Sequence, residues 1–238
     1  NHSPGDDARY LYYGSIGKQL PTFVAFGKES HVGNSFGALD PNLLIAEITR
    51  KMSLNVDLCD VAQGEACGPP ISLKQADTKE GYTVQTALTA FSYYNFFTHG
   101  MSPDVVLEKS RQVGVEAFDS VVSYLNQQYE KYCALSGVPY TTLPWKTRVY
   151  TWKEFYTEAA AQHGQPFRDA IAAFAEKLLD GLIDHCCDWS EDRCGILTHC
   201  TASYHDDGAG RHTNITYGDY FLVEALCKLT GSDPMLWR

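Results

Sequence analysis

The sequence predicts an α+β fold, a sheet covered by long helices and followed by a mainly helical C-terminal region. Short aromatic and β-branched runs at 10–13, 21–26, 71–74 and 82–86 read as strands, because such side chains suit a pleated, half-buried surface. Between and after them, apolar residues recur every three or four positions over long stretches, the period of an amphipathic helix. The 238 residues are 44% apolar, enough for one large domain or two small ones with real cores.

Taken in order, Tyr10-Leu11-Tyr12-Tyr13 and Pro21-Thr22-Phe23-Val24-Ala25-Phe26 form strands broken by a turn at Gly14 to Gly17. Asp40-Pro41 then starts a helix, an acid at the cap followed by proline at the first helical position, with Leu44, Ile45, Ile48 and Met52 on its inner face. Ile71 to Lys74 and Tyr82 to Thr86 are strands separated by the polar turn 77–81. Ser102-Pro103-Asp104 caps a helix of roughly 28 residues. Its stripe Phe118, Val121, Val122, Leu125, Tyr129 and Tyr132 is expected to cover one face of the sheet. Phe91, Tyr93, Tyr94, Phe96 and Phe97 read as core or as a dimer edge, since aromatics at alternating positions usually pack.

Ser136-Gly137-Val138-Pro139 and Pro144-Trp145 mark a loop or linker, and helices follow at 152–161 and 167–185. The division expected is an α+β domain over 1–165 and a helical region over 166–238. Within the latter, Asp219 is expected to cap a helix from Tyr220 to Leu229 that Gly231 and Pro234 stop.

The net charge of −10 with only 19 basic residues argues against nucleic acid or an anionic membrane surface as partner, since both demand a basic patch. No apolar run approaches a transmembrane span, and Asn1 to Gly5 lacks the basic and apolar regions of a secretion signal; the expected location is cytoplasmic. Eight cysteines, with Cys186, Cys187, Cys194 and Cys200 crowded together, contain no Cys-x-x-Cys pair and read as free thiols in a chain of this length.

His31 lies in Gly27-Lys28-Glu29-Ser30-His31-Val32-Gly33, between a strand and a helix start, where loops commonly carry function. This passage has company. Together with Pro4-Gly5-Asp6-Asp7, Tyr13 to Lys18, Asp57-Leu58-Cys59-Asp60, Leu73-Lys74-Gln75, Lys79 to Gln85 and Arg148 to Glu154, it resembles arginine-utilisation proteins of the aminoacylase-like zinc exopeptidase superfamily. The resemblance implies that residues 4 to about 165 correspond to the lid inserted in a two-zinc catalytic domain. It also implies that His31 matches a lid histidine that holds the substrate carbonyl, often in the partner subunit's active site. The superfamily's zinc ligands, a His-x-Asp motif, a Glu-Glu pair and a distal histidine, have no counterpart here, so zinc is not expected to be bound by this chain alone.

The last fifty residues differ in character. Gly195 to Thr201, Ala202 to His205 and Tyr217-Gly218-Asp219-Tyr220-Phe221-Leu222-Val223-Glu224-Ala225-Leu226 resemble the carboxyl end of glycoside hydrolase family 88, the unsaturated glucuronyl hydrolases, which fold as a ring of helical hairpins. That resemblance implies a substrate-bordering loop in which Arg211, His212 and Asn214 are binding candidates for acidic sugar groups. The dense set His185, Cys186, Cys187, Cys194, His199, Cys200, His205 and His212 also invites a zinc site. Structural zinc ligands usually pair two to four residues apart, however, and the adjacent Cys186 and Cys187 diverge around a helix.

The leading expectation is a lid or dimerisation part of a zinc-dependent exopeptidase or amidohydrolase acting on peptides or amino-acid amides. It would work as a homodimer or beside a chain that carries the zinc site. An unsaturated-uronide hydrolase or binding module, and a purely structural oligomerisation domain, are the alternatives.

Overall fold

The computed structural model describes residues 16–190, 195–200, 214 and 216–232, and confirms the α+β class. The expected strand at 10–13 and Pro234 lie outside the described residues. The chain divides into two compact units, Asn1–Glu154 and Phe155–Arg238.

In the first unit a four-stranded antiparallel sheet is built on one long strand, β6 (Thr89–Thr98), which pairs with β1 (Gly17–Gln19), β2 (Thr22–Phe26) and β5 (Ile71–Asp77). β1 and β2 follow one continuous register, from Gly17 opposite Thr98 to Phe26 opposite Thr89. They are separated at Leu20-Pro21, where proline has no N–H to give to the ladder, although its carbonyl still accepts from Tyr94 N at 3.1 Å. Of the turn expected at Gly14 to Gly17, residues 14 and 15 lie outside the described residues, and Gly17 is already paired in β1. β5 overlaps β2 along β6 and therefore lies on the opposite edge, with a bulge between Ser72 and Lys74. A two-stranded hairpin, β3 (Val61–Ala62) and β4 (Glu65–Ala66), stands apart.

Strand alternation along β6 assigns the aromatic cluster. Ala90, Ser92, Tyr94, Phe96 and Thr98 are buried, while Phe91, Tyr93 and Phe97 face the other way and are only partly covered. The buried face meets α1 (Pro41–Met52) and α2 (Pro103–Ser136), whose Ile45, Ile48, Met52, Val106, Val113 and Ala117 close one core with Tyr94 and Phe96. Asp40 caps α1 by accepting Asn42 N at 2.9 Å, and Ser102 caps α2 through Val105 N. The Tyr94 hydroxyl is 2.7 Å from Thr49 Oγ1 and donates to Ser92 Oγ at 2.9 Å, so the buried polar group is satisfied.

The stripe of α2 that packs on β6 is not the one expected. It includes Val106, Val113 and Ala117, with Gly114 beside them, mostly small residues that permit close approach, and a Cβ on Gly114 would lie 3.3 Å from the Phe23 ring. The expected stripe meets the sheet at Ala25 of β2, in a second cluster. Phe118, Val121 and Leu125 pack with Leu39, Leu44 and Trp145, and Tyr129 and Tyr132 pack on Phe36.

After α2 ends at Gly137, which is left-handed at φ 70°, the expected linker proves to be a strap running back along α2. Leu143 N and the Tyr140 hydroxyl both donate to Asn126 Oδ1, Thr147 Oγ1 donates to Asp119 Oδ1, and Val149 lies over Gly114. The strap leads into α3 (Trp152–Cys186) through a capping box: Thr151 N donates to Glu154 Oε2 at 2.7 Å and Glu154 N to Thr151 Oγ1 at 3.2 Å. Gly164 (φ 64°) and Pro166 interrupt α3, matching two helices expected from the sequence.

In the second unit, Leu179, Leu197 and Leu222 form a small core flanked by Ile183, Cys186, Cys187 and Cys200. Asp219 lies inside α4 (Thr216–Leu229) and does not cap it; its Oδ1 accepts Ile196 N at 2.9 Å and Leu197 N at 2.7 Å, gripping the segment paired with Cys186 to Asp188. Gly231 ends α4 at φ 74°, as expected. The described cysteines are free. No described helix is long and apolar enough to cross a membrane.

One carboxylate secures the corner between β6 and α2. A single oxygen of Asp60, Oδ2, accepts the backbone N–H groups of His99, Gly100 and Met101 at 2.7, 2.8 and 2.7 Å. These bonds, led by Met101 and Gly100, hold the Asp60 carboxyl below its ordinary value. Because the folded pKa is the lower one, the stabilisation is present at neutral pH and is lost as the pH falls below about 4 toward the folded value. Thermal midpoints from pH 7 to 3 should therefore be lower for Asp60→Asn at neutral pH and converge with the parent chain as the pH falls. Phe96→Ala, which empties a fully buried site, should cost about 3–5 kcal/mol in denaturant unfolding.

Candidate functional site

The ladder between β2 and β6 does not stop at Phe26. Gly27 N donates to Leu88 O at 2.7 Å, and after an irregularity at Lys28-Glu29 the pairing resumes. There Thr86 N donates to Ser30 O at 3.0 Å, Ser30 N to Thr86 Oγ1 at 3.1 Å, His31 bridges Gln85, and Val32 N donates to Val84 O at 2.9 Å. The run 82–86 expected as a strand is thus a short irregular extension opposite the His31 loop. The true long strand begins at Thr89.

The loop is closed on its other side as well. Lys28 and Leu39 exchange both backbone hydrogen bonds, at 2.9 and 3.1 Å, which pins residues 28–39 into a lobe at the start of α1. Inside it, Asn34 N donates to His31 O at 2.8 Å, Ser30 Oγ donates to Asn34 O, and Ser35 Oγ donates to Val32 O. Phe36 fixes the lobe to the far half of α2, its ring centroid 4.9 Å from Tyr129 and 5.4 Å from Tyr132. Lys28 Nζ stands 5.6 Å from the centre of the Trp145 ring, a cation–π contact with the strap.

His31 sits at the end of this frame, exposed to solvent. Its Nδ1 accepts the backbone N–H of Gly33 at 3.0 Å. A neutral imidazole that accepts at Nδ1 carries its proton on Nε2, where it is a donor. Beside the lobe lies a recess of about 270 Å³, lined by Val32, Ser35, Ala38, Asp40, Thr86 and Leu125. The adjoining segment is anchored by Asp77, whose Oδ2 accepts Asn42 Nδ2 at 2.9 Å and whose Oδ1 accepts Lys79 N at 3.1 Å; the Asn42 contact foremost holds its carboxyl below the ordinary value. Lys79 Nζ donates to Gln85 O at 2.7 Å, next to the His31 bridge.

The tail candidates are placed differently. Arg211 and His212 lie outside the described residues, so the uronide reading gains no geometry. Asn214 belongs to the second unit, is exposed, and its Nδ2 donates to Gly195 O at 3.4 Å. Gly195 is tightly enclosed at φ 103°, where a Cβ would lie 2.8 Å from Asp219 Oδ2 and 3.2 Å from Asn214. Among the described residues, no three His, Cys, Asp or Glu side chains converge closely enough to hold a metal ion.

Sequence reading singled out His31 but not the residues that hold it. Phe36, Trp145 and Gly33 become visible only once α2, the strap and the turn are folded, since none carries a local signal of its own.

Part of this chain is similar in sequence to two proteins of Bacillus subtilis (strain 168). Over 151 residues, 63% of this chain, it is 35% identical to Protein RocB of Bacillus subtilis (strain 168). Over 161 residues, 68% of the chain, it is 33% identical to an uncharacterized protein of the same organism, YqjN. The chain spans 27% and 29% of the lengths of these two relatives. No family model matches the chain. No solved structure matches it.

Gly27 is the position on which the lobe turns, because a Cβ there would lie 2.1 Å from Leu39 O and 2.6 Å from Pro41 Cδ. Gly27→Ala should therefore break the Lys28–Leu39 pairing while the sheet core persists. Hydrogen exchange should show faster exchange at the Lys28 and Leu39 amides and unchanged protection at Tyr94.

Proposed function

We propose that this chain serves as the lid or dimerisation part of a zinc-dependent exopeptidase or amidohydrolase acting on peptides or amino-acid amides, with His31 contributing a hydrogen bond to the carbonyl oxygen under attack. The observation that carries the reading is the combination of RocB-like sequence with an exposed His31 whose Nδ1 is occupied and whose Nε2–H is left as a donor.

When a nucleophile adds to an amide, negative charge develops on the carbonyl oxygen. A donor already in place stabilises that charge without having to reorganise, and one such hydrogen bond is worth roughly 100- to 1,000-fold in rate. His31 is suited to this because its ring is held by a backbone amide within a doubly pinned lobe. The zinc that the resemblance implies does not fit the described residues, which offer no converging donor set. It is therefore assigned to another segment or a partner chain.

The outer face of the sheet supports association. Val24, Phe26, Ile71 and Phe97 lie on the side away from the helices and remain substantially exposed. A homodimer, or a chain carrying the metal site, would cover such a surface.

The test is cleavage of N-acyl amino acids and dipeptides with zinc, by the purified chain and by the chain completed with a zinc-bearing RocB-like catalytic portion. The completed enzyme should hydrolyse them, lose activity in chelator, and lose about 100-fold in kcat with His31→Ala. Activity that survives chelation, or an unaffected His31→Ala variant, would sink the reading. Light scattering should give a dimeric mass for the chain alone.

A further inference from the structure

The ring of His31 has two nitrogens, and the fold treats them differently. Nδ1 faces inward along its own turn and meets the N–H of Gly33 at 3.0 Å, an acceptor contact that a protonated Nδ1 could not make. The turn that creates this contact is over-determined. Asn34 N closes it onto His31 O at 2.8 Å, Ser30 Oγ ties it to Asn34 O, and Gly37 N continues it onto Asn34 O at 3.0 Å. Phe36, packed on Tyr129 and Tyr132, keeps the turn from swinging away from α2.

Glycine matters at position 33 for a spatial reason. A Cβ there would lie 3.1 Å from His31 Nδ1, tighter than most carbons approach, so a larger residue obliges the imidazole to shift by a few tenths of an ångström against the amide that orients it.

We propose that Gly33 is a positioning residue for His31: its backbone N–H, presented by the turn 31–34, fixes the imidazole as the Nε2–H tautomer with that hydrogen directed outward. The role usually given to a carboxylate or carbonyl behind a histidine, which receives Nδ1–H and leaves Nε2 as a base, is inverted here. A backbone donor behind Nδ1 makes His31 a hydrogen-bond donor at Nε2 and leaves no basic lone pair facing outward. This inference rests on the reading of His31 as a carbonyl donor, and it specifies which atom does the work.

The test needs no loss of function to be decisive. In the full chain labelled with ¹⁵N and held at alkaline pH, with the His31 signals assigned by their disappearance in His31→Gln, the proton should reside on Nε2. A scalar coupling across the hydrogen bond should link Gly33 N to His31 Nδ1. A proton on Nδ1, or an even mixture of tautomers, overturns the proposal. In Gly33→Ala the coupling should weaken and the second tautomer should appear, while the Asp60-bonded amides of His99 to Met101 keep their shifts; a retained coupling overturns the requirement for glycine. In the cleavage assay Gly33→Ala should lower kcat on the order of tenfold with little change in KM, and an unchanged kcat overturns the positioning role. If His31→Ala leaves cleavage intact while the spectrum shows Nε2–H and the coupling, the proposed function fails and the tautomer assignment stands.

Discussion

Strand β6 sets the parity on which the first unit depends. It pairs with β1 and β2 along one edge and with β5 along the other, so each of its side chains is committed either to the helices or to the outer face. A slip of one residue would move Tyr94 and Phe96 out of the core and bring the polar Asn95 into it. The Asp60 carboxylate guards against that slip from the end of the strand, because its three amide partners begin at the residue after Thr98. The buried chain of hydroxyls, Ser92 to Tyr94 to Thr49, guards against it from the middle, since an incorrect register would leave those groups unpaired.

The same register carries His31. Because the β2–β6 ladder runs on past Phe26 to Val32, the histidine's place follows from pairings laid down in the sheet, with one irregularity at Lys28-Glu29 absorbing the change of alignment. The lobe is then tied from three directions: to residues 84–88 by the ladder, to α1 by Leu39, and to α2 and the strap by Phe36 and Lys28. A loop so constrained presents its side chain from a rigid seat, which is what stabilisation of a short-lived charge requires.

Much of this was legible in the sequence. Asp40-Pro41 and Ser102-Pro103 announced both helices because caps act through neighbouring backbone amides, and His31 stood out because strand and helix signals bracket it. Other features depended on tertiary contact. The aromatic run 91–97 did not declare itself as the central strand, since alternating aromatics suit an edge or a core equally well. The sheet-facing stripe of α2 was masked because its residues are small, and hydrophobic periodicity weights large ones. The stretch from 134 to 147 reads as a loop or linker, because an extended strap held by Asn126 and Asp119 has no period at all. Asp219 looked like a cap for want of any sign that Ile196 and Leu197 would return to it.

The pairing of β2 with β6 joins stretches far apart along the chain, whereas the contacts of α2 with its strap are comparatively local. Closing the longer loop carries the larger entropic cost, so helix and strap can associate before the ladder is sealed. The bridge from His31 to Gln85 depends on that late closure. In a nascent or partly unfolded chain, α2 can be formed while the histidine is still unplaced, and the seat of the imidazole becomes a late mark of complete folding.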